Sequence, residues 1–453
     1  MWLASFFRCV GGREWKGASE GEIVGETDAD RPDDFCLPLA EITVNGRRLL
    51  GVRRIGRVAH HGVNQILLGL LAGLPAGVAS YVFLELLDRA IELRLERAPW
   101  LLWLLPPAAL GIVGVYHHIG GRAALGSTLV IEQVHESTDD IPLRMAPLVM
   151  LGTVAGHLFG ASVGREGTAI QMSASLSDGL ARLLRLSRFH RRELLVAALA
   201  AGFGSVFGIP VAGAVFALEV QTIGRLRYEA VVAAFTASFV GDQMVRWLGH
   251  KHAVRPQLTV PVDSWLAIRV AIAGVAFGAT AALFVWVTHH VKAVLTPVSY
   301  PPFRAAVAAT AVVLGSLLFG REYLSLSLPL AAQALAGLQV AAFAWLAKLI
   351  FTSVCIGGGL PGGEVTPLFV IGATLGAVLA GPLGLPQPLL TGIGFAAVFA
   401  GAANTPIACT LLFVELFGGA AVAPAAIGCT MAYLCSGHTG IYASQRVEIR
   451  KHS

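Results

Sequence analysis

Beyond about position 60 the chain alternates between long apolar stretches and short polar or glycine-rich interruptions. The clearest stretches are 65–87, 98–119, 142–158, 193–218, 265–287 and 338–356. A helix needs about 20 mostly apolar residues to cross the hydrocarbon core of a bilayer, so these stretches predict spanning helices. They are continuous and rich in Leu and Ala, whereas the strands of a membrane barrel alternate over stretches of about 10 residues. A helix also pairs every backbone polar group within its own segment, as lipid requires. The predicted fold is an all-α polytopic membrane protein. Several segments are short and interrupted by Gly or Pro, most plainly 357–363 with Pro361, followed by Pro367. Irregular backbone at membrane depth is tolerated where it lines a cavity or packs inside protein, so the broken helices point to transport.

Composition agrees. Of 453 residues, 13% are charged, and the mean hydropathy is +0.69; a soluble domain carries about 25% charged residues. The net charge of +5 fits a positive-inside bias and acidic lipid. No interleaving of basic and aromatic residues suggests a nucleic-acid surface. The first 60 residues differ, with an acidic stretch at 20–34 and then Arg47, Arg48, Arg53, Arg54 and Arg57. No secretory signal is expected there. The basic cluster predicts a cytoplasmic N-terminus, with the arginine-rich loop 182–192 and the tail 446–451 on the same side. The expected setting is a bacterial inner (plasma) membrane. The predicted organisation is a polar segment 1–60, a membrane half 61–250, a second half 251–445 and a short cytoplasmic tail 446–453. Cysteines 9, 36, 355, 409, 429 and 435 form no CxxC pair; the four in apolar context are expected to be buried structural thiols.

An internal repeat supports the two halves. SVFGIPVAGAVFALE at 205–219 resembles GAANTPIACTLLFVE at 401–415, matching Pro210 with Pro406, Ala212 with Ala408 and Glu219 with Glu415 at an offset of 196. Upstream, GREGT at 164–168 parallels GGEVT at 362–366 at an offset of 198, which matches Glu166 with Glu364. Repeated transporters place their substrate near the midplane, between the halves. Whether the halves are inverted is left open by sequence.

The GREGT segment carries the chemistry. A carboxylate in an apolar region is expensive and marks a functional site. Glu166 follows the glycine-rich turn 160–164 and stands at the predicted start of a helix over 168–186. Free N–H groups and the positive helix end favour an anion there. Either the Glu166 carboxylate or a transported anion can occupy that spot, which makes a gate released by protonation. An N-cap carboxylate paired with Arg165 is the structural alternative. Glu364, Val365, Thr366 and Pro367 form a second helix start whose amides can face a midplane anion. Ser127 and Thr128 follow Gly126 in a third short turn, and hydroxyls donate to an anion without a charge that traps it.

These three motifs resemble those of the CLC family of chloride channels and anion/proton exchangers, over roughly residues 60–445. The family motifs GSGIP, GREGP and GxFxP read here GSTLV, GREGT and GEVTP. Tyr442 fits the tyrosine that completes the family's anion site. The resemblance implies inverted halves, helix N-termini around a dehydrated anion, and a homodimer with one pore per subunit. It carries gating and proton transfer to Glu166; Glu364, whose backbone lies in the anion-binding turn, is the expected inner group for proton transfer because Val220 cannot titrate. Anion binding falls to Ser127, Thr128, Arg165, Gly167, Thr168, Val365, Thr366 and Tyr442. Thr168 and Val130 replace motif prolines, Val365 replaces an aromatic, and Glu364 adds a carboxylate. This combination looks like the fluoride-exporting branch, which exchanges fluoride for protons. Ser127 instead matches the chloride members, so a chloride/proton exchanger or chloride channel stays open. Val220 stands where many chloride exchangers carry an inner glutamate.

GASVG at 160–164 also fits the G-x-S-x-G nucleophile pattern, with His157 nearby and His438 available, so an intramembrane serine hydrolase at Ser162 is the remote alternative. No strand precedes Ser162, and the serine leads straight into Arg165 and Glu166. His157, His289 and His290 lack metal-ligand spacing; no cofactor or metal is expected. Phe203, Phe207 and Phe216, at helical spacing, read as core packing or as ring edges facing the ion.

Overall fold

The computed structural model describes residues 50–252, 256–258 and 263–451. The acidic stretch 20–34, Arg47, Arg48, Cys9 and Cys36 lie outside the described residues. Among the described residues the α-helices fall into two series of eight. The first runs α1 (Leu50–Glu92), α2 (Leu105–Val115), α3 (Ser127–Glu136), α4 (Met145–Phe159), α5 (Glu166–Leu183), α6 (Arg188–Phe207), α7 (Pro210–Glu219) and α8 (Val231–Trp247). The second repeats it as α9 (Ser264–Leu295), α10 (Pro301–Phe319), α11 (Leu328–Leu335), α12 (Ala344–Gly357), α13 (Val365–Leu383), α14 (Gln387–Ala403), α15 (Pro406–Phe417) and α16 (Val422–Cys435). Packing repeats as well: α1 lies on α8 as α9 lies on α16, and α5 lies on α6 as α13 lies on α14.

Three apolar stretches fold differently from their sequence pattern. Residues 193–218 form two helices because Gly208 takes a left-handed conformation (φ +71°) and Pro210 opens the next helix, the preferred residues at those places. The second half breaks at the equivalent point, with Asn404 at φ +60° and then Pro406. Stretch 98–119 divides into a 3-10 turn Pro99–Leu104, α2 and a π turn Tyr116–Gly120, and the helix expected over 338–356 begins only at Ala344. Five stretches remain long and apolar enough to cross a bilayer among the described residues. Their outer faces carry Ile66, Val78, Ile272, Leu314 and Leu318 in the open, as lipid-facing surface does. Helices α13 and α14 are buried nearly throughout, and Gly372 meets Gly394 backbone to backbone where they cross.

Helix starts correct the repeat register at its key landmark. Met145 and Ala344, Glu166 and Val365, and Arg188 and Gln387 each stand 199 residues apart. Glu166 therefore corresponds to Val365, and Glu364 to Arg165, both N-caps. At an offset of 198 the match rests on shared letters in glycine-rich segments, where a one-residue slip changes little.

The halves meet on equivalent elements. α2 packs on α10, and α7 on α15. At the end of α7 the Glu219 carboxylate accepts from Ile407 N–H (3.1 Å) and Ala408 N–H (2.8 Å), which open α15. At the end of α15 the Glu415 carboxylate accepts from Val211 N–H (3.0 Å) and Ala212 N–H (2.7 Å), which open α7. Each helix ends at the other's beginning, so the equivalent helices are antiparallel, as inversion of one half relative to the other requires. After Tyr442 the chain returns to the first half, where β2 (Arg446–Val447) pairs in parallel with β1 (Thr222–Ile223).

Candidate functional site

Two helices start at one point in the interior. The turn before α5 and the turn before α13 exchange backbone hydrogen bonds, Gly164 N–H to Gly363 O (2.5 Å) and Gly363 N–H to Gly164 O (3.0 Å). Gly167 belongs to this crossing: a Cβ on Gly363 would stand 2.7 Å from the Gly167 nitrogen, too close for any side chain there. The crossing brings the unpaired N–H groups of two helix ends, and their positive dipoles, together.

The Glu166 carboxylate occupies that place. Glu166 is the first residue of α5, two positions earlier than the sequence pattern put the helix start, and it is wholly buried. One carboxylate oxygen accepts from Arg165 N–H (3.1 Å) and Thr366 N–H (3.0 Å), and the other from the Thr366 hydroxyl. The Arg165 guanidinium stands 3.6 Å away and lies over the Phe207 ring at 5.6 Å. Glu166 is not the N-cap of its own helix, a place Arg165 takes; its carboxylate instead binds the N-terminus of the other half's helix while paired with Arg165. An anion arriving there would meet the same amide and hydroxyl donors.

Glu364 is the N-cap of α13, half-buried, and makes no side-chain cap hydrogen bond. Its charge, that of Glu166 and the buried Tyr442 hydroxyl lie within electrostatic reach of one another. Val365 and Thr366 are fully buried in the first turn of α13. Tyr442 turns its ring edge-to-face on Phe216 at 6.2 Å. Phe216 stacks on Phe203 (4.1 Å), Phe203 meets Phe207 (5.1 Å), and Phe207 meets Phe369 of α13 (5.1 Å). The three phenylalanines singled out by spacing form one aromatic wall between the two halves.

Other candidate residues stand elsewhere. Ser127 opens α3 and its hydroxyl accepts from Gln171 Nε2 at 3.2 Å, which ties it to α5; Thr128 beside it is half-buried. The Thr168 hydroxyl pairs with that of Thr153 at 2.7 Å, both buried. Ser162 bonds to Tyr323 O, Thr352 and Lys348, and His157 pairs with Ser325 at 2.7 Å rather than with Ser162. His289 caps Val285 O in its own helix, and His290 stacks on Trp286. One thiol expectation is corrected: Cys355, Cys409 and Cys429 are buried, but Cys435, the last residue of α16, is exposed.

A profile of the voltage-gated chloride channel family matches residues 112–437, most of the chain. The chain belongs to the CLC family. It is similar to a chloride/fluoride channel protein of Pseudomonas syringae pv. tomato, 47% identical over 85% of this chain and 87% of that one. An H+/Cl− exchange transporter of Cronobacter sakazakii is 27% identical over 83% of this chain and 88% of its own length. Among solved structures, a CLC-type fluoride/proton antiporter superposes with a TM-score of 0.82 at 32% identity, over 87% of this chain and 99% of that one. A slow cyanobacterial Cl−/H+ antiporter shares the fold, with a TM-score of 0.72 at 17% identity, over 82% of this chain and 94% of that one. The protein is therefore an integral membrane anion transporter with the CLC fold.

In this CLC chain, sequence reasoning missed two features. Glu219 and Glu415 served only as repeat landmarks, yet they join the halves by capping each other's helices; the equal spacing of a helix-opening Pro and a Glu near the same helix's end, Pro210 to Glu219 and Pro406 to Glu415, was the available signal. Lys348 stands in the middle of the apolar stretch 338–356, and a charge inside an apolar run was the available signal.

Proposed function

We propose that the protein exports fluoride in exchange for protons, with Glu166 as gate and proton carrier. The observation that carries this reading is the seat of the Glu166 carboxylate on Thr366 N–H and the Thr366 hydroxyl. A protonated Glu166 loses its charge-assisted hydrogen bonds and leaves the seat to an anion; a deprotonated one reclaims it. Each cycle moves a proton one way and an anion the other. Fluoride is small and strongly hydrated, so it needs short, strong donors in place of water. The amides of Glu166, Gly167, Val365 and Thr366, the hydroxyls of Thr366 and Tyr442, and the Arg165 charge supply them. Ser127, Thr128 and Thr168 line the route on the side of α3 and α5. Glu364 relays the proton between Glu166 and the inner side, where Val220 cannot. The match to a fluoride/proton antiporter over nearly its whole length supports this assignment.

The functional unit in this reading is a homodimer with one pore per subunit. The inverted halves span 61–250 and 251–445, in a bacterial inner membrane with the N-terminus and the tail 446–453 cytoplasmic. A second reading, chloride conduction or chloride/proton exchange, is favoured by Ser127 at the start of α3 and by the double naming of the Pseudomonas relative. Proteoliposomes loaded with fluoride or chloride, with external pH recorded, separate the two. Fluoride efflux much faster than chloride efflux, with proton uptake, is expected. Chloride moving as fast or faster overturns the fluoride assignment and leaves anion transport standing.

A further inference from the structure

Lys348, in α12, is fully buried. Its three N–H groups find three neutral acceptors: Ser162 Oγ (2.9 Å), Tyr323 O (3.1 Å) and Ser325 O (2.6 Å). Among the described residues no carboxylate comes within ion-pair distance of it. Arg94, also buried, is in the same position: its Nε donates to His157 O at 3.2 Å, and no acid pairs with it. Two cations thus converge on the segment between His157 and Ser162 without a counter-charge. A buried charge is costly unless paired, and neutral acceptors satisfy its hydrogen bonds without cancelling its field. The nearest acid along the chain from Ser162 is Glu166, which also faces the Arg165 guanidinium at 3.6 Å, Glu364 and the Tyr442 hydroxyl. Ser162 and Glu166 are four residues apart, which bounds their backbone separation at about 14 Å.

The same lysine is a mechanical tie. Ser162, fully buried, belongs to the first half; Tyr323, Ser325, Thr352 and Lys348 belong to the second. Ser162 N–H donates to Cys355 Sγ (3.2 Å), and its hydroxyl bridges Tyr323 O and Thr352 (3.0 Å each). Two residues on, Gly164 is locked to Gly363. The turn that presents Glu166 is therefore held at both ends by the opposite half, at Ser162 through Lys348 and at Gly164 through backbone.

We propose that Lys348 is a positioning residue for the gate: it fixes the Ser162 end of the turn, and its uncancelled charge holds Glu166 in the ionised form that closes the anion seat. This rests on Glu166 being the gating carboxylate. At an effective dielectric of about 20 and a separation on the order of 15 Å, one positive charge shifts a carboxylate's titration by about one pH unit.

The test is fluoride efflux from proteoliposomes as a function of pH, for the full chain, Lys348→Met and Ser162→Ala. Lys348→Met keeps the length of the side chain and removes the charge. Its half-maximal pH is expected to rise by about one unit, so that at alkaline pH it keeps a larger share of its own maximal rate than the unaltered protein. Damage to folding alone scales the curve down without moving it. Ser162→Ala keeps the charge and loses the tie; its maximal rate is expected to fall roughly three- to tenfold with the midpoint in place. A Lys348→Met curve that superposes on the original, or is only scaled, overturns the proposal. If Lys348→Met is not recovered folded, Ser162→Ala decides, and an unchanged maximal rate overturns it. Failure of the underlying gate shows separately, as pH-coupled flux that survives Glu166→Gln.

Discussion

Removing one of the reciprocal caps tests how the two halves are joined. In Glu219→Ala, the Ile407 and Ala408 N–H groups at the start of α15 lose their acceptors, held at 3.1 and 2.8 Å. Leaving a buried donor unsatisfied costs about 1–3 kcal/mol; Ala408 is buried while Ile407 is half-exposed and water can reach its N–H, so the pair costs roughly 2–4 kcal/mol. Loss of a carboxylate at a helix N-terminus adds up to about 2 kcal/mol in a partly buried site. The mirror change, Glu415→Ala, strips Val211 and Ala212 of theirs. Glu219 is only 7% exposed, whereas Glu415 is half-buried, so water can replace part of the second cap. The predicted order is Glu219→Ala more destabilising than Glu415→Ala. Gln at either position retains an acceptor oxygen and falls between Ala and the original. Resistance to unfolding in graded detergent mixtures measures the difference. Phe216 rides on α7 and packs on Tyr442, so loosening at Glu219 should also slow anion flux. An unchanged Glu219→Ala, or Glu415→Ala the more costly of the two, refutes the argument.

Further outcomes follow from the site. Glu166→Gln keeps the shape and cannot ionise, so proton movement should be lost in a pH-recorded flux assay, whether the neutral side chain blocks the anion or releases it. Glu364→Gln should fold and bind anion while fluoride-driven proton uptake falls severely; exchange near the original rate would leave Glu364 a structural residue. Gly372→Ala places a Cβ on the Gly394 carbonyl oxygen where α13 and α14 cross. Backbone cannot yield as a side-chain end does, so the protein should be lost from the membrane fraction or melt well below the original.

How much of this was legible in the sequence differs from element to element. Glu166 stood out because a carboxylate within apolar sequence is rare for energetic reasons, and the structure buries it at a helix start as that reasoning requires. The broken helices were legible at 357–363, where glycines and Pro361 interrupt the run, but not inside 193–218. There a single left-handed glycine at Gly208 ends α6 and looks in sequence like any other glycine of an apolar helix.

By itself the sequence determined an all-α membrane protein, its duplication, and which short glycine-led turns open helices in the interior, because each of these is a local matter of hydrophobic run, repeated letters and helix-start residues. Only the tertiary structure decided which of those turns meet. That Glu166 sits on Thr366, 200 residues away, that Glu364 corresponds to Arg165 and not to Glu166, and that Glu219 and Glu415 cap each other's helices all depend on antiparallel packing of one half against the other. No periodicity along a single chain records that packing, since it is fixed by where backbones can approach, as at Gly164 and Gly363, and by which buried polar groups must find partners across the interface.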